Sequence, residues 1–190
     1  MKKKILLVAA LTICLAVLAS GTLAYFTAEN TAHNVITSGG VNIAVAEKTR
    51  GEGDTLVDFP AEGISGVMPG ADVSKIVTVE NIGSSEAWIR VKVESAITAA
   101  DGSELNADVI SYEVGDNWKL QDGYYYYASP VPAKAATEEL FNIVHFAPSM
   151  GNEYQNCTAN IVISAQAVQT ANNGQSAPDA EGWPSEVREG

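Results

Sequence analysis

Two long stretches alternate between apolar and polar residues with a period of two, and they limit the fold more than any other feature of the chain. In Ala87-Trp88-Ile89-Arg90-Val91-Lys92-Val93-Glu94, one face carries Ala87, Ile89, Val91 and Val93, and the other carries Trp88, Arg90, Lys92 and Glu94. From Cys157 to Val168, Cys157, Ala159, Ile161, Ile163, Ala165 and Ala167 share one face, with Asn160, Ser164 and Gln166 opposite. Successive side chains of a strand point to opposite sides of a sheet. Each stretch therefore predicts a half-buried antiparallel strand. Val41-Asn42-Ile43-Ala44-Val45 is a shorter case. Helical periodicity is nearly missing after residue 24.

Further strands are expected at 56–59, 73–81, 109–114, 118–121, 124–128 and 140–146. Turn residues separate them: Pro69-Gly70, Asn81-Ile82-Gly83, Asp101-Gly102, Asp116-Asn117 and Asp122-Gly123. Gly63-Ile64-Ser65-Gly66 reads as another turn, and 95–108 has room for one helical turn. Many short strands with regular turns predict an all-β fold, a jelly-roll or immunoglobulin-like antiparallel β-sandwich, after an N-terminal signal helix. At 190 residues and 46% hydrophobic, the chain suffices for one ordinary core. The expected organisation is a secretory signal at 1–24, a mature N-terminal segment at 25–40, a sandwich at 41–170 and a tail at 171–190 that orders where Trp183 docks.

The signal has three parts. Lys2, Lys3 and Lys4 form a positive start, Ile5 to Ala19 is an uncharged apolar run, and Thr22 and Ala24 are small residues before a cut. The run is shorter than the ~20 residues of a spanning helix. Cleavage between Ala24 and Tyr25 is expected, with membrane contact only through the uncut signal. Without the three lysines the charge is 8 basic against 23 acidic, a net of −15. Such a surface repels phosphate backbones and anionic lipid, which argues against nucleic-acid binding.

Chemistry-bearing motifs are sparse. His33 and His145 lack the H-E-x-x-H pattern of zinc hydrolysis, and no cofactor or metal is expected. His145 sits in the strand-like Ile143-Val144-His145-Phe146. Cys157 is alone in the mature chain and falls on an apolar strand face, so it reads as a small core residue. Gly63-Ile64-Ser65-Gly66 misses the spacing of a nucleophile elbow. No catalytic residue is assigned. Tyr124, Tyr125, Tyr126 and Tyr127 alternate too, two inward and two outward; the outward pair makes the run a candidate surface contact or a cross-strand ladder.

Three segments together resemble the TasA/camelysin family of exported proteins. They are Gly21-Thr22-Leu23-Ala24-Tyr25-Phe26-Thr27 with Asn34 to Ile43; Val67-Met68-Pro69-Gly70 with Lys75, Val77-Thr78-Val79-Glu80-Asn81-Ile82-Gly83 and Ala87 to Val91; and Asp122 to Tyr127 with Leu140-Phe141, Ala165 to Gln169 and Trp183-Pro184. The chain departs from the family at Pro132 to Thr137, where a glycine often precedes the threonine. The resemblance implies a jelly-roll-like sandwich, cleavage by a SipW-type signal peptidase, secretion, and assembly as a homo-oligomeric filament in biofilm matrix, with an accessory matrix or anchoring protein as a further partner. The camelysin name implies a metallopeptidase, for which the residues offer few ligands. A surface module binding glycan or protein is the other alternative.

Donor-strand exchange suits this sequence. Once cut, the segment from Tyr25 to Thr37 is a free strand with apolar anchors Tyr25, Phe26, Val35 and Ile36, followed by a Gly39-Gly40 hinge. The alternative is that 25–37 folds back as an edge strand of its own subunit.

Overall fold

The computed structural model describes residues 26–29, 33–37, 41–61 and 63–184. The expected signal helix and Ala24-Tyr25 lie outside them. The described chain is an all-β sandwich of two sheets.

The first sheet is built around β7 (Ala87–Thr98) and β13 (Thr158–Gln169), antiparallel along their whole lengths from Ala87↔Gln169 to Thr98↔Thr158. These are the two stretches whose alternation was clearest. Ala87, Ile89, Val91, Ala159, Ile161, Ile163, Ala165 and Ala167 are buried in the main core, as their shared faces require. Outward from β7 run β11 (Tyr124–Tyr127) and β10 (Trp118–Gln121), joined by the Asp122-Gly123 turn, with the short β8 (Glu104–Leu105) on the other end of β7. Beyond β13 lie β1 (Phe26–Glu29), β2 (His33–Thr37) and β5 (Ile64–Val67).

The second sheet has the order β4 (Leu56–Asp58), β3 (Ile43–Arg50), β6 (Asp72–Asn81), β12 (Phe141–Phe146) and β9 (Ile110–Tyr112). Ile43, Val77, Val79, Phe141 and Val144 meet the inner face of the first sheet in one core.

Two local expectations are corrected. Gly63 to Gly66 is not a plain turn, because Ile64–Val67 is a strand. The register runs Phe26↔Val67 and Ala28↔Ile64, so β5 carries one extra residue, and Gly66 adopts φ 75° there. Glycine accommodates the left-handed backbone of such a bulge. In 95–108, β7 extends to Thr98, and the helical turn is a single 3-10 turn at Ala107–Val109, capped by Asn106 Oδ1 accepting from Asp108 N.

Candidate functional site

The N-terminal segment is built into its own subunit. β1 lies between β13 and β5: parallel to β13 through Thr27↔Thr158, Ala28↔Ala159 and Glu29↔Asn160, and antiparallel to β5. β2 continues along β13 from His33↔Ile163 to Thr37↔Ala167. These parallel pairs depart from a purely antiparallel sheet. From Glu29 to His33 the segment advances one residue more than β13 does, so the strand is held in two short pieces. Val35 stands opposite the core residue Ala165, yet is 39% exposed. Ile36 is opposite Gln166, and Phe26 opposite Val67. Among the described residues, β2 pairs with β13 alone.

The tyrosine run divides as the alternation predicts, but it is not an open surface. Tyr127 enters the main core and Tyr125 packs against it. Trp118 lies 5.0 Å from Tyr127, and the Tyr127 hydroxyl accepts from Glu138 N. Tyr126 joins Trp88 and Val168 in a second apolar cluster on the outer face, roofed by Ala177, Ala180 and Trp183. The expected inward and outward division is present, but the outward pair is not an open contact surface. Tyr126 and Tyr127 are buried, and the tail covers the outward pair.

Arg90 is the residue of this face whose role the alternation did not reveal. Its guanidinium carbon is 3.9 Å from the Tyr124 ring centroid and 4.6 Å from that of Trp183. Nε donates to Gln166 Oε1 at 2.8 Å, and Nη1 to the Tyr126 hydroxyl at 3.0 Å. A planar, weakly hydrated cation suits stacking between rings. The available signal was an arginine two residues after an outward tryptophan.

A second polar feature lies at the edge of the core. Glu47 continues the inward row of Ile43 and Val45. Its Oε2 is 2.7 Å from Lys75 Nζ, with only 7% and 3% of the two side chains exposed. The Phe59 ring lies 3.8 Å from Nζ. Burial pushes the Lys75 amine below its usual range, and Glu47 opposes the shift. A groove of about 440 Å³ beside the pair is lined by Lys48, Asp58, Phe59, Pro60 and Glu80 among others.

His145 Nδ1 contacts Asp72 Oδ1 at 2.7 Å across β12 and β6, as a half-exposed strand residue. Cys157 is a free, buried thiol, and burial raises its pKa, which disfavours thiolate. No cluster of three histidine, cysteine, aspartate or glutamate residues is placed to hold a metal ion among the described residues, and the His33 side chain lies outside them. No helix there is long and apolar enough to cross a membrane. Comparison with protein-family models, curated proteins and solved structures found no match.

Proposed function

We propose that this chain is a secreted structural subunit that assembles into extracellular matrix fibres by exchanging its N-terminal strand between copies. The observation that carries the reading is the place of β1. It directly follows a segment with the form of an export signal, and it fills a slot between β13 and β5. A strand that leaves this slot exposes unpaired backbone on both sides, and an identical strand from a second copy restores the same bonds. Exchange of an identical element costs little in contacts. A head-to-tail contact does not close on itself, so it propagates as a filament. Two short parallel pieces separated by a register step release more readily than one continuous ladder.

The test is electron microscopy of the chain from Tyr25 onward, fresh and after incubation. Beaded filaments are expected, and persistent monomers under every condition overturn the reading. Removal of residues 25–37 should abolish filaments. Because that deletion empties a sheet, a second variant is needed. Ala28→Cys with Ala159→Cys joins two in-register neighbours and locks β1 in its own subunit. Oxidised, this variant should stay monomeric, and reduction should restore filaments. Filaments from the oxidised form would count decisively against exchange.

A further inference from the structure

The tail that roofs the Arg90 face is closed by one side chain. Asn173 Nδ2 donates to Gln169 O at 3.0 Å and to Glu181 O at 3.1 Å, and its Oδ1 accepts from Glu181 N at 2.8 Å. Its backbone carbonyl accepts from Trp88 Nε1 at 2.9 Å. Asn173 thus ties the end of β13, the outer face of the sheet and the far end of residues 170–183 into one strap. The next residue is Gly174. Asparagine followed by glycine is the dipeptide most open to attack by the backbone on the side-chain amide, because glycine has no Cβ to obstruct the approach.

We propose that Asn173-Gly174 is a self-modification site gated by docking of the strap. The backbone nitrogen of Gly174 attacks Asn173 Cγ. A new N–Cγ bond forms, the Cγ–Nδ2 bond breaks, and Nδ2 departs as ammonia with the proton lost from Gly174 N. Water then opens the five-membered succinimide at either carbonyl and leaves aspartate or isoaspartate. Nothing is oxidised or reduced, and water is the sole co-reactant. With the strap docked, the amide can turn toward Gly174 N only by breaking all three of its side-chain hydrogen bonds. Docking therefore protects the site.

Conversion works in one direction. A carboxylate at 173 only accepts hydrogen bonds, so it would set oxygen against the carbonyl oxygens of Gln169 and Glu181, with no proton between them. It also adds negative charge to an already acidic chain. Isoaspartate lengthens the backbone and displaces the carbonyl that holds Trp88 Nε1. A strap that has opened and reacted does not close again, and Trp88, Tyr126 and Val168 stay uncovered. The inference does not depend on the fibre reading.

The experiment ages the full chain in mildly alkaline buffer and follows amide-to-acid conversion at Asn173 by peptide mapping. Trp183→Ala removes the largest side chain of the roof, and Trp88→Phe removes the bond to the Asn173 carbonyl while keeping an aromatic ring in the cluster. Conversion should be roughly 10-fold faster in W183A, which corresponds to about 1.4 kcal/mol of lost closure, and faster to a smaller degree in W88F. The converted fraction of aged wild type, and Asn173→Asp made directly, should be cut by protease within residues 170–184 while the core strands keep their hydrogen-exchange protection. Equal conversion rates in wild type and both variants overturn the gating. A converted chain whose strap resists protease like the original overturns the release.

Discussion

Asn81 stands almost wholly out of solvent at the end of β6, with its polar groups engaged. Nδ2 donates to Ser85 O and Val131 O, Oδ1 accepts from Gly83 N, and its backbone pairs with Lys134 and Ala135. One side chain so fixes the 82–85 turn and the 131–135 loop to the sheet. Asn81→Ala removes three hydrogen bonds and a fully buried side chain, while Val131 O and Gly83 N keep their backbone partners Ala87 N and Asn42 O, and a loss of about 2–4 kcal/mol is expected from urea midpoints. Lys75 and Glu47 make the second residue-scale case. Lys75→Met removes the ammonium group beside a buried carboxylate and should cost about 3–5 kcal/mol, whereas K75M with Glu47→Leu should recover most of it. The pH dependence follows from the same burial. The folded Lys75 amine lies below its unfolded value of 10.5, so between the two the unfolded chain holds a proton that the folded chain has released. Stability therefore rises with pH across that window and levels off above 10.5. Wild type should gain on K75M as pH climbs toward 10.5, and parallel curves would contradict the burial. None of this pairing was legible in the sequence, because Glu47 and Lys75 lie on separate strands and meet only through the β3–β6 register.

At the scale of elements, legibility tracked how far a segment obeys a single period. β13 keeps alternation along its twelve residues and β7 over Ala87 to Glu94, and those inward faces could be named from the sequence, whereas the last residues of β7, Ser95 to Thr98, could not. β5 broke the pattern with a glycine at φ 75° inside four residues, and a bulge has the same local chemistry as a turn. Gly66 also bears on the candidate site, because β5 forms one wall of the slot that holds β1. Gly66→Ala forces a side chain into the left-handed region and should lower stability by about 1–2 kcal/mol. The loss should be local, appearing first as faster hydrogen exchange in β5 and β1 while β7 and β13 keep their protection. Uniform acceleration across both sheets would show that β5 is not a separable wall. The outward tyrosines were legible as a face and illegible as a covered one. Docking of Trp183 was expected, but not its place: with Ala177 and Ala180 it roofs the tyrosine face through a fold-back that no local period records.

For the whole molecule, charge is the expected control on the strand exchange proposed above. If the lysine-led segment is cut away as proposed, 8 basic residues stand against 23 acidic ones, and copies that approach at neutral pH would repel each other. The contact that exchange makes is short-ranged backbone pairing, while the repulsion extends over about one Debye length, near 10 Å at 0.1 M salt. Two independent treatments should therefore lower the same barrier. Acid protonates carboxylates whose ordinary pKa is close to 4, and salt screens them without changing protonation. If repulsion is the barrier, filaments of the chain from Tyr25 should appear faster near pH 4 than at about pH 7, and added salt at neutral pH should reproduce part of the gain. The disulfide-locked A28C/A159C variant separates this from simple precipitation. Acid lowers its charge equally, yet its strand cannot leave, so it should form no filaments at either pH. Turbidity that stays flat from neutral to acid pH would remove repulsion as the control. Turbidity that rises equally in the locked variant would show acid aggregation without exchange.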